Sequence, residues 1–379
     1  MLEQDTKEVL AVDFIYARTE RQFFDKKVEA DYAFLKQNGP DDADCSVISR
    51  DRADNVWVVS FQRDNGPIEY AILDRGKQQL TQLFFSQPSL VEYRLARMEC
   101  VELKSRDELR MVAYLTRARG ETPTPMVLFV HGGPWARDRW GYNPVAQWFA
   151  NRGYAVLQLN YRGSTGFGKS FLHAGDCEWG VGKMQHDLTD AVKWAIEKGV
   201  ALEDKVCIYG GSYGGYACLA GLTFTPDVYS CGVDIVGPSN IKTLMDSIPP
   251  YWAPMRKDLS MKIGDVDNDA QFNEKISPLF HIDRIKSPLL IGQGANDPRV
   301  KQAESDQIVQ AMVDKGIPVE YILYPDEGHG FVRPPNRIDF NGRAELFLEK
   351  HLGGRSEAFT APEGSTAQQP VLEGKFAPS

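Results

Sequence analysis

Cysteine, histidine and long apolar runs are all scarce in this chain. Its six cysteines (Cys45, Cys100, Cys177, Cys207, Cys218 and Cys231) are scattered over 379 residues with no C-x-x-C spacing. That pattern excludes a dense disulfide framework and argues against structural zinc or a redox pair. Cys207 and Cys218 lie in apolar runs and read as small core residues. Apolar runs such as Met126 to Val130 are far too short to cross a bilayer, and the first ten residues are acidic where a secretory signal is basic and apolar. The expectation is no membrane partner and a cytoplasmic chain, with any signal on a longer parent out of view. Positive charge is also in deficit, with 43 Lys and Arg against 52 Asp and Glu and a formal charge of −9. Phosphate backbones would be repelled overall, so no nucleic acid partner is expected.

What is present suits a folded chain: 42% hydrophobic and 25% charged residues can bury a sizeable core. From Cys45 to about Tyr93 short alternating runs (Trp57 to Phe61, Ile68 to Leu73, Leu80 to Phe85) are separated by turn signals such as Asp64-Asn65-Gly66-Pro67. This is an antiparallel meander, assigned to residues 1–97. After a hairpin at Cys100 to Thr116 the pattern changes. Runs at Pro125 to Val130, Ala155 to Leu159, Val206 to Tyr209, Val233 to Val236, Leu289 to Ile291 and Glu320 to Tyr324 read as buried parallel strands. Amphipathic stretches lie between them, as where Met184, Leu188, Ala191, Val192 and Ala195 share one helical face. Alternating strand and helix signals predict a doubly wound α/β domain over residues 98–353. The stretch 354–379 has too little hydrophobicity to offset its ordering entropy and is expected to be disordered.

Chemistry concentrates in four loops. Val206 to Tyr209 runs into Gly210-Gly211-Ser212-Tyr213-Gly214 and then a helical pattern, the strand-turn-helix setting of a nucleophile elbow. The competing reading is a glycine-rich connection that lets a helix pack on a sheet. A serine hydroxyl needs a base, itself oriented by a carboxylate. Of six histidines, His329 in Asp326-Glu327-Gly328-His329-Gly330-Phe331 follows a strand end, where open α/β sheets place their sites. Asp297 in Gly294-Ala295-Asn296-Asp297-Pro298 follows another; alone it could equally be a turn-former before Pro298. The order Ser212, Asp297, His329 is that of α/β-hydrolases. Oxyanion donors are expected from the amide of Tyr213 and, in His131-Gly132-Gly133-Pro134, that of Gly133. His131 lacks partners at ligand spacing, so no metal and no cofactor is expected.

With these segments in place, the chain closely resembles the prolyl oligopeptidase family of serine peptidases, nearest its acylaminoacyl-peptidase and dipeptidyl-aminopeptidase-like branch. The matching stretches are HGGPWARDRWGYNP (131–144), NYRGSTGFGK (160–169), GGSYGGY (210–216), GANDPRV (294–300) and DEGHGF (326–331). The resemblance implies Ser212 as nucleophile, Asp297 as orienting acid, His329 as general base, Gly133 and Tyr213 as oxyanion hole, and Tyr251, Trp252 and Val300 in an apolar substrate pocket. It also implies that the meander is the last part of a β-propeller, with room for about two four-stranded blades. The function expected is cleavage of peptide bonds in short peptides through an acyl-enzyme. A carboxylesterase on short acyl esters and a non-catalytic binding module are the alternatives. An exposed sheet edge in the partial propeller would favour a homo-oligomer.

Overall fold

The computed structural model describes residues 1–120, 122–249, 251 and 253–370. They fall into two compact units, Met1–Val101 with Arg139–Trp148, and Glu102–Asp138 with the chain from Phe149 onward.

The first unit begins with an antiparallel hairpin, β1 (Ala11–Ile15) and β2 (Thr19–Phe23), then a helix, α1 (Lys26–Asn38). Asp25 starts the helix by accepting from the amides of Lys27 and Val28, donors that a first turn leaves unpaired. Only Val28, Asp31 and Leu35 are buried on it. Such a narrow stripe in a charged run leaves no helical signature in the sequence. An antiparallel sheet follows in the order β3 (Asp44–Arg50), β4 (Val56–Gln62), β5 (Glu69–Asp74) and β6 (Gln79–Phe85). Trp57, Val59 and Phe61 alternate along β4 and therefore share one face, where they join Ala71, Leu73, Val28 and Leu35 in a single core. Each Val, Leu or Phe among them contributes about 1.5–3 kcal/mol by leaving water. In place of two four-stranded blades there is one, together with the hairpin and helix that the polar first forty residues form.

The second unit is built on an eight-stranded sheet. Its strands are β7 (Met98–Lys104), β8 (Arg110–Thr116), β9 (Thr124–Val130), β10 (Ala155–Leu159), β11 (Ala201–Gly211), β12 (Cys231–Ile235), β13 (Leu289–Gly294) and β14 (Glu320–Tyr324), in the spatial order β14-β13-β12-β11-β9-β10-β8-β7. Apart from β7 and β8 the strands run parallel; along the chain between them come α2 (Pro144–Asn151), most of which belongs to the first unit, then α3 (Lys169–His173), α4 (Lys183–Glu197), α5 (Tyr213–Phe224), α6 (Ile241–Asp246), α7 (Ala253–Ile263), α8 (Ala270–Ile276) and α9 (Gln302–Asp314), and α10 (Pro334–Leu352) follows the last strand. After β9 the chain goes to β10 on one side and then to β11 on the other, so the order reverses beside β9. Open α/β sheets bind ligands at the carboxyl ends of strands flanking such a reversal. The register pairs Val130 with Gly210, Gly211 with Ile235, Ile235 with Gly292 and Gly294 with Tyr324, which levels the strand ends along one edge.

The segment 354–370, expected to be disordered, is instead an ordered strap. Gln368 exchanges both backbone hydrogen bonds with Leu323 at 2.8 Å, and a Cβ on Gly342 would lie 2.1 Å from the Phe359 ring. Composition misjudged it because its order comes from backbone pairing with β14 and polar contacts rather than from an apolar core of its own; residues 371–379 lie outside the described residues. No described helix is long and apolar enough to cross a membrane.

Candidate active site

Ser212 is the single residue between β11 and α5, with φ 58° and ψ −119°. That conformation costs a non-glycine residue of order 1–3 kcal/mol and persists only where surroundings impose it. Its amide donates to Ile235 O at 2.8 Å and its carbonyl accepts from Tyr216 N at 3.0 Å, tying the turn to β12 and to the first turn of α5. Glycine is required on the helix side by close approach. A Cβ on Gly214 would lie 2.2 Å from Val130 O, and one on Gly215 2.1 Å from Asp234 Oδ1. Helix α5 is buried from Tyr213 to Thr223, an inner helix that pushes the serine toward the strand ends.

Asp297 and His329, 32 positions apart, are brought together: His329 Nδ1 donates to Asp297 Oδ2 at 2.7 Å. The other carboxylate oxygen accepts from the amides of Arg299 and Val300 at 2.8 and 2.9 Å. Asp297 is thus an acceptor on both sides and holds the proton of the neutral imidazole on Nδ1, which leaves Nε2 as the basic nitrogen. Among the described residues the Ser212 hydroxyl has no hydrogen-bond partner, so Asp297 and His329 are paired here and Ser212 and His329 are not. Such bonds often close only when substrate arrives. Neither the Gly133 nor the Tyr213 amide donates to any described residue. Gly132 brings the first of these loops against the elbow, for its Cβ would lie 3.4 Å from Ser212 Cβ and 3.0 Å from Gly211 O. Gly133 has φ +122°, a conformation that favours glycine.

Several residues hold these loops without a recognisable sequence signal. The His131 ring stacks on Tyr161 at 4.4 Å, its Nε2 meets Ser164 Oγ at 2.9 Å, and Tyr161 donates back to His131 O at 2.8 Å. Tyr161 also stacks on Tyr213, so one aromatic column links the two loops proposed as oxyanion donors. Beneath it Arg162 forks onto Asp187 at 2.8 and 2.9 Å and onto Asp107 at 2.7 and 2.9 Å. Burial pushes the Asp187 carboxyl up to about 6 against the pull of Arg162. Glu327 is buried and accepts from the amides of Val332 and Arg333 at 2.9 and 3.0 Å, folding the His329 loop around its carboxylate. Glu304 does the same for the loop after β12, accepting from Ser239 and Asn240 amides at 3.0 Å.

The expected apolar pocket is not assembled from its three named residues. Tyr251 is 78% exposed, Val300 is buried beside Asp297 and serves it through its amide, and Trp252 lies outside the described residues. Among the described residues no group of three or more His, Cys, Asp or Glu could hold a metal ion.

A doubly wound sheet that ends in a strained serine turn and an Asp-His pair defines the α/β-hydrolase class. A model described as the prolyl oligopeptidase family matches residues 140–355, and the chain belongs to that family. It is 51% identical to dipeptidyl aminopeptidase BIII of Pseudoxanthomonas mexicana over 97% of this chain and 54% of that protein. To dipeptidyl peptidase family member 6 of Caenorhabditis elegans it is 40% identical over 95% of this chain and 52% of the other. The chain therefore spans about half the length of these relatives. Among solved structures, a puromycin-hydrolysing peptidase of Mycobacterium tuberculosis superposes with TM-score 0.72 at 27% identity, over 80% of this chain and 47% of that one. An acylaminoacyl peptidase bound to a chloromethyl ketone gives 0.74 at 20% identity over 93% and 56%, which speaks to fold alone.

Proposed function

We propose that this chain carries the catalytic machinery of a serine peptidase that acts on short peptides through an acyl-enzyme. Ser212 attacks the scissile carbonyl, His329 Nε2 takes the proton and returns it to the leaving amine, and Asp297 steadies the imidazolium. The amides of Gly133 and Tyr213 receive the oxyanion, where each preorganised donor contributes about 2.7–4 kcal/mol. The observation that carries this reading is the 2.7 Å bond between His329 Nδ1 and Asp297 Oδ2 on the sheet edge where Ser212 holds its strained turn. The names of the two curated relatives favour release of dipeptides from amino termini.

A panel of dipeptidyl and aminoacyl anilides and p-nitrophenyl butyrate, with Ser212→Ala as control, tests it. The expected result is anilide cleavage, covalent labelling of Ser212 by a fluorophosphonate, and a fall of roughly 10⁶ in kcat for Ser212→Ala with an unchanged circular dichroism spectrum. Turnover of the ester alone would move the assignment to a carboxylesterase. Unchanged turnover in Ser212→Ala would remove the mechanism altogether.

A further inference from the structure

The loop that carries His329 is tied to a segment near the far end of the chain. Thr366, in the strap 354–370, donates its amide to Asn336 Oδ1 at 2.9 Å and its hydroxyl to Asp326 Oδ1. Asn336 is fully buried at the start of α10, and its Nδ2 donates to Asp326 Oδ1 at 3.0 Å and to Glu327 Oε1 at 2.9 Å. Glu327 is the residue whose carboxylate gathers the Val332 and Arg333 amides, and whose carbonyl accepts from Asn296 N at 2.9 Å. Glu327 thus joins the histidine loop to the loop of Asp297, through its carboxylate on one side and its backbone carbonyl on the other.

The orientation of Asn336 decides whether this joint holds. A carboxamide presents donors at one end and an acceptor at the other, and here the donor end faces two carboxylates. Reversed, it would set Oδ1 against both. The strap's two donors reward the observed orientation at Asn336 Oδ1, which meets the Thr366 amide at 2.9 Å and the Thr366 hydroxyl at 3.2 Å; the hydroxyl also reaches Asp326, and Arg333 pairs with the remaining Asp326 oxygen. The strap is held in place independently by the paired hydrogen bonds between Gln368 and Leu323, by Phe359 against Gly342, and by Arg355 Nε on Asn151 O at 2.8 Å.

We propose that the strap is a positioning element for the Asp297-His329 pair, acting from Thr366 through Asn336 and Glu327. This rests on the peptidase reading above. None of the strap residues touches the reacting atoms, so the effect is on how often the base is correctly placed, a quantity that appears in kcat rather than in substrate binding.

The test uses the full chain and three variants at Thr366. Thr366→Val keeps the shape and the backbone donor and removes only the hydroxyl; Thr366→Ser keeps both donors. The expected result is a kcat about tenfold lower for valine with KM within twofold, a corresponding slowing of fluorophosphonate labelling, and recovery to within twofold of wild type for serine. Hydrogen exchange at the Val332 and Arg333 amides should quicken in the valine variant and not in the serine variant. If valine prevents folding, Thr366→Ala decides by the same kcat. Full kcat in a folded variant lacking the hydroxyl, or an equal loss in Thr366→Ser, overturns the proposal. A wild-type chain that neither turns over substrate nor takes the label overturns the peptidase reading, and this inference with it.

Discussion

Replacing Asp297 by Asn tests the proposed acid-base pair most sharply, because the carboxylate accepts on both of its oxygens and an amide cannot. Its Oδ1 takes the amides of Arg299 and Val300, and its Oδ2 takes His329 Nδ1. Asparagine in one orientation would keep Oδ1 on the two backbone amides and turn its NH2 toward Nδ1, donor against donor. In the other it would satisfy His329 and face the Arg299 and Val300 amides with donors, and orphaning the buried Val300 amide alone costs about 1–3 kcal/mol. The first orientation wins by one amide. His329 then relieves the clash by moving its proton to Nε2, the nitrogen that must accept from Ser212. The wrong tautomer costs a factor of about 10⁴ in kcat, or about 5.4 kcal/mol at 1.36 kcal/mol per tenfold. Anilide turnover and the rate of fluorophosphonate labelling should fall together in Asp297→Asn, with KM and thermal melting little changed. A variant within tenfold of wild type in both rates would refute the reasoning.

Two predictions concern the scaffold around the elbow. Gly215→Ala should destabilise by about 1–3 kcal/mol or more, since its Cβ would lie 2.1 Å from Asp234 Oδ1 and 2.8 Å from Gly237 Cα; urea denaturation measures this, and a midpoint unchanged from wild type would contradict it. The Asp234 carboxyl is buried with Oδ2 unpaired among the described residues, and burial pushes it from 3.8 up to about 7. A folded-state value above the unfolded one means that its contribution to stability is complete below the unfolded value and is lost as pH rises to about 7, by at most roughly 4 kcal/mol. Asp234→Asn should therefore flatten the fall in unfolding free energy between about pH 4 and 7, and an identical slope in both proteins would count against the assignment.

Much of the catalytic unit was legible in the sequence because its strands are buried on both faces and so are continuously apolar. The runs at Ala155 to Leu159 and Glu320 to Tyr324 end where the strands end, and Met184, Leu188, Ala191, Val192 and Ala195 all face inward on α4. The first forty residues were illegible for the opposite reason. Helix α1 buries three side chains, one of them Asp31, and its stability comes from the sheet it packs on rather than from its own pattern. The strap was misjudged because backbone pairing to an edge strand leaves no mark in composition.

The sequence by itself determined the fold class and where chemistry concentrates, since a strand entering Gly-x-Ser-x-Gly and two loops at strand ends are local patterns with local causes. Tertiary structure alone decided which groups meet. It joined Asp297 to His329, set the Gly132 turn against Ser212, and linked Glu327 of the His329 loop to Asn336 and Thr366. It also placed Tyr251 at the surface. The reason is that hydrogen bonds between residues far apart in the chain depend on register and crossover, which the whole sheet fixes and no single segment contains.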